Sequence, residues 1–162
     1  MEYLNLFRSL FEAKVRYLIC GGLAVNVYGI PRMTADIDLL LDFEEENIRR
    51  FEKVVADLAY KSLIPLTLQE LLDESYRISV IKNRNLIAYS YYNTRSNYMN
   101  LDIMIDMPFS FEEMWKVREI RRTEKIEINI VSLEHLIEMK KYANRIQDQQ
   151  DISLLSRLKN IS

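Results

Sequence analysis

Two aspartates, Asp36 and Asp38, stand one residue apart inside the otherwise apolar stretch DIDLLL. An ionised carboxylate is costly to bury unless a positive group lies on it. In a strand, residues i and i+2 lie on the same face about 7 Å apart at Cα, so both carboxylates face the same way. At that spacing, they can bind one or two divalent cations together.

A third carboxylate follows in a later strand-like segment, NLDIMID. Asp102 shares a face there with Met104 and Asp106, and the apolar side chains alternate onto the other face. Three carboxylates on a sheet surface suit Mg²⁺, which prefers oxygen ligands and keeps positions open for water and substrate phosphates. Asp106 is the rival third carboxylate, but its place just before Met107 and Pro108 favours a solvated turn residue.

A glycine pair, Gly21-Gly22, stands between a short apolar strand and a short helix. Backbone N–H groups at the start of a helix, with no side chain in front of them, can hold phosphate oxygens. Each motif alone is common, but their order and separation strengthen the signal. Glycines and carboxylates together describe a site for phosphoryl or nucleotidyl transfer.

Apolar periodicity predicts the elements that must position these residues. Helices are expected over 2–14, 23–28, 44–60, 67–75, 109–117, 132–145 and 148–158. Thr67 and Glu70 form a capping box, and Ser132 caps the first closing helix. Strands are expected over 15–20, 35–42, 99–106 and 126–132, with two more around a turn at 83–85 in the stretch 76–94. The result is one α+β domain over 1–162, a mixed sheet with helices packed on it.

Composition narrows the function classes. With 49% hydrophobic and 28% charged residues among 162, the chain has the balance of a soluble globular protein. No apolar stretch approaches a membrane span and the N-terminus lacks the form of a secretory signal, so we expect a cytoplasmic protein with no membrane contact. The single cysteine, Cys20, is expected to be a buried inert thiol. A net charge of −2 argues against a protein that coats nucleic acid.

The order Gly21-Gly22, a gap of about a dozen residues, Asp36-x-Asp38 and then Asp102 resembles the pattern of the nucleotidyltransferase superfamily. Within it, the chain is most similar to small prokaryotic abortive-infection proteins of the AbiEii type and to minimal nucleotidyltransferases. The resemblance extends to Arg32, Thr34, Lys140, Arg145, Asp148 and Asp151. It departs at Leu23, where many polymerase-like members carry a serine, and residues 62–98 match nothing in it.

The resemblance implies a nucleotidyltransferase-like mixed sheet and transfer of a nucleoside monophosphate from a nucleoside triphosphate to a hydroxyl acceptor. Asp36 and Asp38 would bridge two Mg²⁺ ions, and Asp102 would ligate the ion that activates the hydroxyl. The predicted triphosphate contacts are Gly21, Gly22, Arg32 and Lys140. The acceptor would be a protein, a tRNA or a small molecule, and an antitoxin is an expected partner.

Simpler interpretations stand beside these assignments. Arg32 and Lys140 can be solvated surface charges, because such side chains are mostly exposed. Asp148 and Asp151 are expected to cap amides and oppose the dipole at a helix N-terminus. His135 is expected to be a partly exposed structural residue. For the whole chain, the alternatives are a non-catalytic nucleotide-binding or toxin–antitoxin partner module, and an antibiotic nucleotidyltransferase.

Overall fold

The computed structural model describes residues 3–95, 99–123 and 125–161. The predicted start of the first helix at residue 2 lies outside the described residues. The helices are α1 (Tyr3–Glu12), α2 (Gly21–Val27), α3 (Glu45–Asp57), α4 (Glu74–Arg84), α5 (Phe111–Lys116), α6 (Leu133–Ala143) and α7 (Ile146–Ile161), with a 3₁₀ turn at Glu70–Leu72. The strands are β1 (Tyr17–Cys20), β2 (Asp36–Leu41), β3 (Tyr60–Ser62), β4 (Ala88–Asn93), β5 (Asn100–Met104), β6 (Glu119–Thr123) and β7 (Ile126–Ile130).

All seven described strands form one mixed sheet in the order β3-β4-β5-β2-β1-β7-β6. The pairs β2/β5 and β1/β7 are parallel, and the other neighbours are antiparallel. The strands predicted to carry the carboxylates, β2 and β5, are therefore direct neighbours at the centre of the sheet. The predicted mixed sheet with packed helices is confirmed.

The hydrophobic core lies between the sheet and its helices. Leu39, Phe51 and Ile103, from β2, α3 and β5, are fully buried. Cys20 is buried as predicted, and burial raises the pKa of its thiol well above the ordinary value, so the thiol stays protonated and inert. In the described segments, no helix has both the length and the apolar character to cross a membrane.

The stretch 76–84 is a helix, α4, and the prediction of a strand there was wrong. Its apolar residues alternate like a strand, but both ends carry strong helix caps. The Asp73 side chain accepts a hydrogen bond from the backbone N–H of Tyr76 at 2.7 Å. Asn85 closes the helix in the left-handed conformation, with φ of +51°. A side-chain cap at the first end and a left-handed backbone cap at the second outweighed the alternation.

The neighbouring capping box at Thr67 and Glu70 is present, but it opens only a 3₁₀ turn instead of the predicted helix over 67–75. The backbone N–H of Thr67 donates to Glu70 Oε2 at 2.7 Å, and the Glu70 N–H donates to Thr67 Oγ1 at 3.2 Å. Ser132 caps α6 as predicted by accepting from the His135 N–H at 3.1 Å.

Both edge strands escaped the sequence prediction. β3 has only three residues, and β6, with sequence EIRRT, is exposed along most of its length. Neither has the alternation of a half-buried strand on which the prediction depends.

Candidate active site

The central pair of parallel strands brings the predicted carboxylates together. Asp38 of β2 lies opposite Asp102 of β5, and Asp36 lies opposite Asn100. Along β2, Ile37 is buried at 1% exposure, whereas both aspartates on the other face are half-buried. The predicted alternation therefore holds, and three carboxylates share one surface of the sheet.

These three aspartates differ from every other aspartate of the chain. The sequence has nine aspartates, all of them in described segments. Within those segments, the side chains of Asp36, Asp38 and Asp102 accept no hydrogen bond and form no ion pair. Each of the other six accepts at least one hydrogen bond: Asp42 from Arg16, Asp57 from Lys53, Asp73 from the Tyr76 N–H, Asp106 from Tyr142, Asp148 from Lys140 and Arg145, and Asp151 from Arg32.

Because no positive group is paired with these aspartates in the described segments, the pKa values of two of them are raised. Burial, followed by the nearby charges of Asp102 and Asp36, raises the pKa of Asp38 to about 6. Arg145 and Lys140 act in the opposite direction but do not cancel the rise. Burial and the charge of Asp102 also raise the pKa of Asp36. Like charges on a partly dry surface repel one another and make an attractive environment for a cation.

The donors present fit magnesium by their chemistry. Their carboxylate oxygens are the hard ligands that this ion prefers, and none is engaged by another part of the described chain. In the described segments, no group of three or more His, Cys, Asp or Glu side chains lies so that the group could hold a metal ion together. The fit therefore rests on ligand type and placement, because magnesium commonly takes only one or two protein carboxylates and completes its shell with water and phosphate.

The glycine pair makes room for the side chains of the site. Gly21 has a φ of +63°, and a Cβ at this residue would lie 1.8 Å from Oδ2 of Asp38. A Cβ at Gly22 would lie 2.8 Å from Oγ1 of Thr34 and 3.3 Å from Cζ of Arg32. Both glycines are thus required by the chain's own packing, and their predicted contact with phosphate stays a prediction.

Lys140 is buried in an ion-pair network beside the carboxylates. It is 4% exposed, and its Nζ lies 3.1 Å from Asp148 Oδ1 and 2.9 Å from Asp151 Oδ2. Arg32 forms an ion pair with the same Asp151. The alternative of a solvated surface charge is therefore wrong for Lys140, and the Arg32 side chain is also largely buried at 18% exposure.

The expected role of the two helix aspartates holds for only one of them. Asp148 accepts from the backbone N–H of Arg145 at 3.0 Å, as a capping residue does. Burial acts to raise the pKa of Asp148, but hydrogen bonds from Arg145 and Lys140 lower it overall. Within the described segments, the Asp151 side chain accepts from no backbone N–H and instead joins Lys140 to Arg32, which connects α7 with α6 and with the loop before β2.

A polar cleft of 500 Å³ opens over the three aspartates. We define the polar cleft by its lining residues Gly22, Arg32, Met33, Thr34, Ala35, Asp36, Asp38, Asp102, Lys140, Arg145 and Gln147. It unites the three carboxylates with three basic side chains, and Gly21 lies directly beside it against Asp38. Sequence reasoning missed Gln147, whose position at the start of a helix carries no distinguishing signal.

Asp106 and His135 lie outside this cleft. Asp106 follows the end of β5 and accepts a hydrogen bond from the Tyr142 hydroxyl at 2.8 Å. The centroid of the His135 ring lies 4.6 Å from the centroid of the Phe109 ring, and Nδ1 of His135 is 3.2 Å from Ser132 Oγ. Both positions fit the structural interpretations given from the sequence.

Comparisons with known proteins bear on the fold and on the family. Two solved structures share the fold. ANT(2″)-Ia in complex with adenylyl-2″-tobramycin is 14% identical, with a TM-score of 0.60, and the match covers 95% of this chain and 85% of that one. The lincosamide antibiotic adenylyltransferase LnuA with bound lincomycin is 18% identical, with a TM-score of 0.61, and the match covers 96% of this chain and 92% of that one. A candidate nucleotidyltransferase from Thermotoga maritima is similar at 17% identity and TM-score 0.55, covering 98% and 94%.

By sequence, no curated protein matches the chain. The family model described as "Nucleotidyl transferase AbiEii toxin, Type IV TA system" matches residues 5–157, nearly the whole chain. The chain therefore belongs to the AbiEii family of nucleotidyltransferase toxins.

Proposed function

We propose that the protein is a magnesium-dependent nucleotidyltransferase that moves a nucleoside monophosphate from a nucleoside triphosphate to a hydroxyl acceptor. The acceptor oxygen forms a bond to the α-phosphorus, the bond from that phosphorus to the β-phosphate oxygen breaks, and pyrophosphate leaves. One observation carries the proposal: of nine aspartates, only the three on the β2/β5 surface lack a donor in the described segments.

The three aspartates are the residues that would hold the metal. Asp36 and Asp38 come from one strand and Asp102 from its parallel neighbour, so a rigid pair of central strands sets their spacing. Bound magnesium supplies positive charge to the substrate phosphates and to the oxygens that enter and leave the phosphorus. We assign to Asp102 the further role of accepting the proton of the acceptor hydroxyl.

The basic residues of the polar cleft give the triphosphate its other contacts. Arg145 is the most available of them, with a side chain 69% exposed, and Arg32 and Lys140 lie deeper. Asp148 and Asp151 hold the inner two in place, so these cations position and neutralise phosphate without moving far. Gly21 and Gly22 remain predicted contacts of the β- and γ-phosphates.

Three further parts of the proposal concern the biological setting. The family description names a type IV toxin–antitoxin system, so we propose an antitoxin as a protein partner. Nucleoside triphosphates are cytoplasmic metabolites, so we propose a cytoplasmic enzyme. The acceptor is a protein, a tRNA or a small molecule, and the fold shared with enzymes that modify or bind antibiotics supports the small molecule as the alternative.

A labelling experiment tests this function. The protein is incubated with magnesium, cell extract and each α-³²P nucleoside triphosphate in turn, and label is followed in protein, tRNA and small molecules. We expect transfer by the parent and by Asp57→Asn, a control whose exposed aspartate has Lys53 as its own donor, and none by Asp38→Asn or Asp102→Asn. Undiminished transfer in chelator, or by both site variants, would contradict the proposal. Nucleotide binding without transfer to any acceptor would indicate the non-catalytic module.

A further inference from the structure

A second cavity, of 130 Å³, adjoins the polar cleft and shares Asp38 and Asp102 with it. We call it the apolar slot, and its apolar walls are Ile87, Met104, Met107, Leu136, Met139 and Ala143. The two cavities thus meet at the carboxylate pair but have very different linings.

Strand register places the two cavities on opposite sides of that pair. Asp38 and Asp102 lie side by side on parallel strands. The polar cleft takes the residues before them, Asp36 and the loop at 32–35, and the apolar slot takes the next residue on the same face of β5, Met104, with its β4 neighbour Ala88. Going along the strands, the order is therefore cleft, carboxylates, slot.

Charge assigns the triphosphate to the cleft. Of the two cavities, Arg32 lines only the cleft, where it is also paired with Asp151, and among the described residues no basic side chain lines the slot alone. Lys140 and Arg145 touch both cavities, but on the slot side Asp148 already binds them at 3.1 Å each. A triphosphate with several negative charges is therefore better neutralised in the cleft.

The geometry of phosphoryl transfer then assigns the slot. The attacking and leaving oxygens lie roughly in line on opposite sides of the phosphorus. With pyrophosphate leaving into the polar cleft and the α-phosphorus at the carboxylates, the hydroxyl must arrive from the other side. We infer, resting on the proposed function, that the apolar slot binds the acceptor, and that the acceptor presents its hydroxyl on an uncharged ring.

Size and chemistry of the slot specify that ring. An apolar cavity of about 150 Å³ takes up benzene, so 130 Å³ is room for one ring. Met104, Met107 and Met139 offer thioether sulfurs, which make favourable contacts with aromatic rings. An amino sugar would bring ammonium groups against these methionines without a free carboxylate beyond the pair that serves the metal, at a high desolvation cost.

The rest of the acceptor has a surface on which to lie. Met104 and Met107 also line an adjoining cavity of 550 Å³ that reaches Arg77 and Ile78 of α4. α4 belongs to the stretch 62–98 that matched nothing in the family resemblance. In this inference, the stretch 62–98 forms the wall that contacts the part of the acceptor farther from its hydroxyl.

Methionine methyl NMR tests the inference on the unmodified chain. Each of its seven methionines gives one ¹³C-methyl signal after labelling. Magnesium with the α,β-methylene analogue of each nucleoside triphosphate should shift the signal of Met33, which lines the cleft, and leave those of Met104 and Met139 in place. Adding N-acetyl-L-tyrosinamide, an uncharged phenol, should then shift the slot signals, whereas kanamycin, a polycationic amino sugar, should not.

A substitution on the slot wall provides the second measurement. Ile87 is 50% exposed, so Ile87→Ser leaves the core intact while removing an apolar wall. We expect the affinity for N-acetyl-L-tyrosinamide to fall about tenfold, the usual effect of one lost apolar contact in a substrate pocket. The nucleotide affinity should not change. Leu63→Ser, at a site 60% exposed and outside the slot, is the matched control and should change neither.

Each other outcome of these two experiments refutes one stated part of the inference or of the proposed function. Slot signals that respond to nucleotide as strongly as Met33 does would make the slot the nucleobase site and leave the proposed function standing. A response to kanamycin, or none to N-acetyl-L-tyrosinamide, would refute the acceptor class. A Met33 signal that no nucleotide moves would refute the proposed function, and the inference with it.

Discussion

Replacing Asp38 by asparagine should stabilise the metal-free protein at neutral pH. The pKa of Asp38 rises from its ordinary 3.8 to about 6 on folding. One pKa unit corresponds to about 1.4 kcal/mol, so the ionised carboxylate costs the fold about 3 kcal/mol at pH 7. The amide that replaces it brings two N–H donors to this half-buried position, one donor more than a protonated carboxyl group, and burying the extra donor without a partner costs about 1 kcal/mol. We therefore expect a net gain of about 2 kcal/mol.

The sign of this effect must reverse with pH. Below pH 3.8, the carboxyl is protonated in both the folded and the unfolded chain, so the parent bears no charge penalty. As pH rises towards 6, the unfolded chain releases the proton first, and the parent loses stability over this window. The variant has no such group, so Asp38→Asn should be less stable than the parent at pH 3.5 and more stable at pH 7.5.

Thermal melts followed by circular dichroism in chelator, at both pH values, make the measurement. A gain of about 2 kcal/mol corresponds to a rise in Tm of about 6 °C for a domain of this size. Magnesium with a nucleotide analogue should cancel the advantage, because a ligand that binds only the folded state stabilises the parent, and the variant has lost a ligating group. Asp106→Asn is the control, since its side chain keeps an acceptor for Tyr142. A variant less stable in chelator at pH 7.5, together with equal stabilisation of both proteins by magnesium, would show that Asp38 is a structural residue.

Three further substitutions test other contacts. Gly21→Ala should abolish transfer and lower Tm, because the new methyl group would lie 1.8 Å from Asp38 Oδ2; parental activity in the labelling assay would contradict this. Gly22→Ala should weaken nucleotide binding by pushing Thr34, 2.8 Å away, out of place, and adding Thr34→Gly should restore part of the affinity measured by calorimetry. Asp148→Ala should lower the free energy of unfolding in urea by about 1.5 to 3 kcal/mol, the range of a hydrogen bond to a charged group, because the buried Lys140 keeps only Asp151 as a partner; a loss below 1 kcal/mol would show that the ion-pair network adds little stability.

The carboxylate site could be predicted because its signal is local. Period-two alternation in β2 alone places Asp36 and Asp38 on one face, and the same alternation in β5 marks Asp102. Only the parallel pairing of the two strands depends on residues far apart in the sequence. The order of the motifs along the chain, which resembles that of the family, was the basis for expecting it. The fold class followed in the same way, from the number and kind of elements.

The ion-pair network could not be predicted, because spacing along the chain does not reveal it. Asp151 lies 11 residues after Lys140 but 119 after Arg32, and only the packing of α7 against α6 and the 32–34 loop brings them together. For the same reason, the sequence alone left two interpretations open for Lys140 and for Arg32, a phosphate contact and a solvated surface charge. Burial of a lysine is decided by the partners it finds in three dimensions.

Presence or absence of a donor separates the structural aspartates from those of the site. Folding has supplied hydrogen-bond donors to six aspartates in every kind of surrounding, from an exposed helix side at Asp57 to the buried Asp148. Among the residues that the structure describes, Asp38 has no such donor, although burial raises the pKa of that side chain to about 6. A half-buried charge that weakens the fold by about 3 kcal/mol is retained when a ligand of the folded state offsets the loss. Since the neighbours Asp36 and Asp102 add to the same negative field, the ligand that we propose is a cation, and the arginines beside it suit a cation that arrives with phosphate.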